Sequence, residues 1–324
     1  MVVRMTELGV LDWLLAGDPA IRWQVMRDLL DAPASQWRAQ RAKVQTQGWG
    51  ARLLARRDPD GQWAGGAFLP TDFDIREWEQ VGQPWTATAF VLTQLREFGL
   101  DPATDRARRM VDLVGAHSHW DHAGQPYWEG EVEECINGRT VADGAYFGVD
   151  VSPIVARLVG RRQPDGGWNC ERANGSVRSS FDTTINVLEG LLEYESVTGG
   201  AADSRQARRS GERYLLERQL FRRLSTGEPA DEGFGLFTHP NRWRYDVLRA
   251  LDYFRASAFV TGAAPDPRLR EAIDHVRSRR LPDGRWPLDR RLPGRVWFDL
   301  DDGPGRPSRW ITLRALRVLK WWDE

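Results

Sequence analysis

The sequence predicts an all-α fold, an (α/α)6 toroid of six outer and six inner helices filling residues 1–324 as one domain. Three observations predict it. The octet Arg-Arg-x-Pro-Asp-Gly-x-Trp occurs three times, as "RRDPDGQW" (56–63), "RRQPDGGW" (161–168) and "RRLPDGRW" (279–286). A helix-like apolar step recurs six times along the chain. No segment alternates with the period of a half-buried strand.

The elements follow in order. Before each Pro-Asp-Gly the pattern is helical. In "SPIVARLVGRR" Ser152 reads as an N-cap and Pro153 as the first helical residue, with Ile154, Val155, Leu158 and Val159 on one stripe. The Arg-Arg pair complements the helix dipole in the last turn. Pro, Asp and Gly then stop the helix and turn the chain. "DPRLREAIDHVRSRR" repeats the design, with Asp266 as cap. A more apolar helix comes next, and its repeated step places anchors at Met26, Leu92, Ala142, Leu188, Leu248 and Leu313, spaced by 66, 50, 46, 60 and 65 residues. Small residues in these helices (Ala89, Gly144, Gly190, Ala250, Ala315) suit a crowded centre. Six outer–turn–inner units close a ring, and the tryptophan after each Pro-Asp-Gly reads as a buried clamp, not as a catalytic group.

Composition narrows the function. The chain of 324 residues has 45 basic and 46 acidic residues, which argues against a nucleic-acid surface. Its two cysteines, Cys135 and Cys170, suit a reducing cytoplasm as plain thiols. The start lacks a signal-peptide pattern and no run is long enough to span a membrane, so a cytoplasmic protein is expected. Sixteen tryptophans against six tyrosines stand out.

Pro-Asp-Gly-x-Trp after Gln163 resembles the Gln-Trp motif of the squalene–hopene cyclase and protein prenyltransferase superfamily, the terpenoid-cyclase-like α/α toroids. Short squalene-cyclase-like bacterial proteins are the nearest comparison. The resemblance implies an isoprenoid or similar apolar substrate, with an anionic head group as an option, and acid-initiated cyclisation or isomerisation through a carbocation. Parallel inner helices would open their N-termini at one mouth, where Trp23, Trp85, Asn137, Arg139, Phe181, Trp243, Tyr245 and Trp310 are expected to bind substrate. Asp182 and Asp246 lie at inner-helix starts as candidate proton donors. "DLDD" (299–302) matches the Asp-x-Asp-Asp signature of class II terpene cyclases, which implies Asp301 as a third candidate. Two rival readings stand beside this one: a carbohydrate-active (α/α)6 glycosidase or lyase, and a non-catalytic small-molecule-binding toroid.

"HSHWDH" (117–122) matches the His-x-His-x-Asp-His motif of metallo-β-lactamase folds, and "VDLVGA" before it reads as a strand leading into that loop. Only His239 and His275 remain to complete such a site, so it is not expected. No cofactor is expected. The alternative is a zinc site from His119, Asp121, His122 and Cys135, in the manner of the prenyltransferases.

Overall fold

A computed structural model describes residues 2–324, with side-chain surroundings from Gly9 onward. Fourteen α-helices run α1 Val2–Leu15, α2 Pro19–Asp28, α3 Ala34–Arg41, α4 Gly48–Leu54, α5 Trp78–Val81, α6 Thr88–Phe98, α7 Asp105–His117, α8 Glu134–Phe147, α9 Ser152–Gly160, α10 Phe181–Thr198, α11 Ala202–Glu217, α12 Val247–Thr261, α13 Arg270–Ser278 and α14 Arg309–Asp323. Among the described residues there are only isolated β-bridges and no strands. No described helix is long and apolar enough to cross a membrane.

Six helices pack in series: α2 on α6, α6 on α8, α8 on α10, α10 on α12, α12 on α14, and α14 back on α2. They carry all six anchors. Leu92, Ala142, Leu188, Leu248 and Leu313 are buried, and Met26 is half-buried. The helices α1, α4, α7, α9, α11 and α13 each precede one of the six; α1, α4 and α7 pack on the one that follows them, whereas α9, α11 and α13 pack on the one before them. The short α3 and α5 are additions between units.

Each repeated Pro-Asp-Gly-x-Trp turn does the same thing. Trp63, Trp168 and Trp286 have no exposed surface. Their indole N–H groups donate to Leu53, Leu158 and Val276 carbonyls at 2.8, 2.7 and 2.7 Å, ten residues upstream at the end of the preceding helix. Each of those carbonyls sits in the last turn of its helix and otherwise accepts only a backbone N–H three residues on, so the indole adds a second donor that caps the helix it covers. Their backbone N–H groups donate to the hydroxyls of Thr88, Thr184 and Thr312 at 3.1, 3.1 and 3.0 Å, in the first turn of the next helix of the series. One residue therefore ties the end of one helix to the start of the next.

The tightest contact is between α8 and α10. A Cβ on Gly190 would stand 2.2 Å from the Gly138 carbonyl oxygen, and one on Gly138 would stand 2.5 Å from the Asn186 oxygen. Only glycine lets these two backbones touch.

Two local expectations are corrected. Ser152 is the first helical residue of α9, preceded by Val151 at the cap position, and its N–H is held by Asp150 at 2.9 Å. "VDLVGA" lies within α7, not in a strand, because Met110, Val111 and Val114 continue a helical stripe. Helix α12 starts at Val247, where Asp246 caps it through the Arg249 N–H at 2.8 Å.

Candidate functional site

The series of helices encloses two separate cavities. The first, about 420 Å³, lies at the N-terminal ends of α6, α8 and α10. Its wall is mostly apolar in exposed surface and includes six aromatic rings: Phe68, Trp78, Phe90, Trp120, Tyr127 and Trp243. The rings are fixed by contacts among themselves. Trp120 stacks on Tyr127 at 4.6 Å, and Phe90 packs between Phe68 at 5.0 Å and Trp85 at 4.9 Å. Trp120 donates to the Tyr127 carbonyl at 2.8 Å. Asp121 holds the Phe68 N–H at 2.9 Å, which sets another ring of the wall.

Two polar donors of this cavity lack partners. Arg139 is 8% exposed; one of its nitrogens donates to the Thr93 hydroxyl at 2.9 Å, while Nη1 has no acceptor. Its guanidinium lies over the Phe90 ring at 5.3 Å. Gln83 is 4% exposed; its Oε1 accepts from Trp243 Nε1 at 3.2 Å, and its Nε2 is unpartnered. A buried donor without an acceptor costs about 1–3 kcal/mol, so each has use for an oxygen in the cavity.

Two acids line the same space, Asp182 half-buried and Asp143 buried. Asp182 accepts the Tyr245 N–H at 2.6 Å. Burial raises its pKa, against that hydrogen bond and the fields of Arg244 and Arg249. Asp143 sits deeper, accepting from Thr93 at 2.7 Å and from Arg96 at 2.8 Å. Burial raises it also, against the pull of Arg96. Asp143 is bound in an ion pair; Asp182 is not.

The second cavity, about 370 Å³, lies at the C-terminal halves of the same helices and is lined by Trp23, Trp37, Glu97, Glu193, Trp310 and Arg317 among others. The Arg96–Asp143 pair separates the two: Asp143 lines the first and Arg96 the second. Around it stands a charged belt. Arg317 pairs with Asp252 and, at 3.3 Å, with Asp28; Arg249 pairs with Glu189 at 2.6 Å. His239 is stacked on Trp310 at 4.6 Å, and its Nε2 lies 3.7 Å from Glu97. Burial pushes His239 down to about 4, while His239 and Arg314 hold Glu97 well below the usual carboxylate range despite its burial.

The structure brings Asp182, Arg139, Trp243 and Cys135 to the first cavity and disperses the other expected site residues. Trp23 and Trp310 belong to the second cavity. Trp85 donates to the Pro293 carbonyl at 2.8 Å and lines a small pocket of about 30 Å³ with Arg242 and Asp301. Asn137 braces a loop through the Glu131 N–H and carbonyl at 2.7 and 2.6 Å. Phe181 faces away from the cavity against Tyr214, Phe234 and Tyr245, and the Tyr245 hydroxyl donates to Leu220 at 2.5 Å. Asp246 is fully engaged as a cap, accepting from Arg249, Thr238 and Asn241 at 2.8, 3.2 and 2.6 Å. Asp301 is half-buried in its loop; desolvation raises it to about 6, and its Oδ2 has no partner. It does not reach the aromatic cavity.

His119, Asp121 and His122 are exposed on the loop after α7 and do not converge with Cys135. The one trio of metal-capable side chains that comes together among the described residues is Glu133, Cys135 and Cys170. The prenyltransferase-like zinc set therefore does not fit this chain. Phe68, Trp78, Phe90, Trp120, Tyr127, Gln83 and Asp143 were not expected. Their signal was weak, because most come from loops between helices and only the folded chain collects them.

No family model and no curated protein matches the chain. Some solved structures resemble it weakly. A protein from Actinoplanes is 18% identical, covering 95% of this chain and 91% of its own, with a TM-score of 0.45. The type II terpene cyclase MstE from Scytonema is 14% identical over 89% of this chain and 98% of its own, with a TM-score of 0.37. A variant of that cyclase in complex with its substrate, geranylgeranyl dihydroxybenzoate, is 12% identical over 87% and 96%, with a TM-score of 0.38.

Proposed function

We propose that the chain is a one-domain (α/α)6 toroid of terpenoid-cyclase type, acting in the cytoplasm, whose aromatic cavity takes a prenyl or similar apolar chain with an acidic head group. The observation that carries this reading is the pairing of an aromatic wall with two buried, unpartnered donors, Arg139 Nη1 and Gln83 Nε2. A carboxylate or phosphate oxygen would satisfy both, and a charge-assisted bond to Arg139 is about twice as strong as a neutral one. Arg242, close by, is pushed down to about 9 by burial and by Arg139, so an anion between them would relieve their repulsion.

Asp182 is the proton donor of choice. Burial favours its neutral form, its only hydrogen bond uses Oδ1, and it shares the cavity with the rings. The step is an isomerisation. The Asp182 proton adds to an alkene carbon of the chain, the carbocation is stabilised over Trp120 and Trp243 faces, ring closure moves the charge, and loss of a proton ends the reaction. Asp182 is then reprotonated from solvent. Neither Asp246, a fully bonded cap, nor Asp301, in a separate pocket, offers that position.

The test is product analysis by mass spectrometry with farnesoic and geranylgeranoic acids. Products of unchanged mass and new retention are expected from the wild type, and Asp182→Asn should abolish them with binding and melting temperature kept. Binding without conversion by the wild type would favour the non-catalytic toroid.

A further inference from the structure

The chain's two cysteines lie 35 residues apart, yet their sulfurs meet at 2.7 Å on the rim of the aromatic cavity. We infer that Cys135 and Cys170 form a reversible dithiol–disulfide site that fastens this rim.

The setting fits the chemistry. Cys135 is the second residue of α8, and Cys170 opens the one-turn 3-10 helix Cys170–Asn174 that follows the clamp at Trp168. Both are half-buried, so small reagents reach them. A disulfide needs its sulfurs at about 2.05 Å, within a small rotation of either side chain. The two sulfurs are not equivalent. Cys170 Sγ accepts the Cys135 backbone N–H at 3.3 Å and the Thr183 hydroxyl at 3.4 Å. Cys135 instead donates its S–H to Glu133 at 3.5 Å. Its hydrogen bond with Cys170, burial and Glu133 hold the Cys135 thiol well above its ordinary range. Cys170 is thus the attacking sulfur, and Cys135 resolves with Glu133 as its proton acceptor.

The oxidant is a low-molecular-weight disulfide. Cys170 thiolate attacks one of its sulfurs, breaks the S–S bond and expels one thiolate. Cys135 then gives its proton to Glu133 and attacks Cys170 Sγ, forming the Cys135–Cys170 bond and expelling the second thiolate. The two protein thiols lose two electrons and two protons, which the reagent disulfide takes up to become two thiols. The new bond joins the start of α8 to the loop before α10. Both segments border the cavity, so ligand exchange should slow.

The experiment treats the full chain with glutathione buffers of graded redox ratio and maps thiols by alkylation and mass spectrometry. One intramolecular Cys135–Cys170 disulfide, reversed by reduced glutathione, is expected. Cys135→Ser should instead trap a glutathione adduct on Cys170. Stopped-flow exchange of 1-anilinonaphthalene-8-sulfonate should slow several-fold on oxidation in the wild type and not in Cys135→Ser. Thiols that stay free under oxidised glutathione, independent adducts on both cysteines, or one zinc per purified chain lost in either serine variant would overturn the inference. Unchanged exchange in the oxidised protein would overturn the fastening of the rim. The thiol map needs no ligand, so it decides even where the cavity reading fails.

Discussion

Arg139 and Asp182 show how burial changes the balance of forces on ordinary side chains. Arg139 keeps its charge with one nitrogen on Thr93 and another without an acceptor, a state that only a ligand or trapped water relieves. Asp182 lies at the first turn of α10, where a carboxylate would be stabilised, but burial outweighs the dipole and lifts its pKa. Replacing Asp182 by Asn removes that upshifted acid and should leave the fold intact; a melting curve within about 1 kcal/mol of the wild type is expected, since the Tyr245 N–H can bond the amide oxygen. The neighbouring Phe181 explains why position along a helix misleads. One residue turns the side chain by about 100°, so Phe181 faces α11 while Asp182 faces the cavity.

The helix pairs owe their register to the tryptophan turns. Trp168→Ala removes a fully buried indole together with its cap on Leu158, and should lower stability by about 3–5 kcal/mol in a denaturant titration. A mutant that melts like the wild type would show that the turn is no clamp. Thr184→Val removes a single hydroxyl from the Trp168 N–H and should cost about 1 kcal/mol. Gly190→Ala probes the other joint. Its methyl would meet the Gly138 carbonyl, so α8 and α10 must part, at about 1–3 kcal/mol despite the better helix propensity of alanine. The clamps were legible because Pro-Asp-Gly-x-Trp repeats in plain sight. The matching threonines repeat too, but a lone Thr in a helix start carries little signal until its partner is known. Trp310 was misplaced for a different reason. It is the second residue of α14, yet it stacks against Phe98 at the end of α6, at 5.9 Å. Which end of a neighbouring helix a residue meets is a tertiary fact that no local pattern encodes.

The whole molecule divides into an aromatic end and a charged middle, and each has its own test. The charged middle makes stability depend on pH. Folding lowers the pKa of His239 to about 4 from an unfolded value of 6.5, so the unfolded chain binds the proton more readily between those values. Glu97 is depressed too, and its share is lost on further acidification. Stability is therefore fully present above about pH 6.5 and should fall by about 3 kcal/mol towards pH 4 through His239 alone. His239→Gln should flatten that slope in urea titrations at graded pH. At this scale the helical class and the order of helix pairs were readable from apolar periodicity and spacing. The charged belt was not, because its arginines and acids are ordinary helix residues until six helices turn them towards each other.

The most direct test of the cavity's assignment is a binding titration, followed by tryptophan fluorescence, of farnesoic acid against farnesol, which differ only in the head group. The wild type should bind the acid about tenfold or more tightly, as a charge-assisted bond to buried Arg139 requires, and Arg139→Gln should erase that preference while still binding both chains. Equal affinity of acid and alcohol for the wild type, or an acid preference that survives Arg139→Gln, would contradict the account.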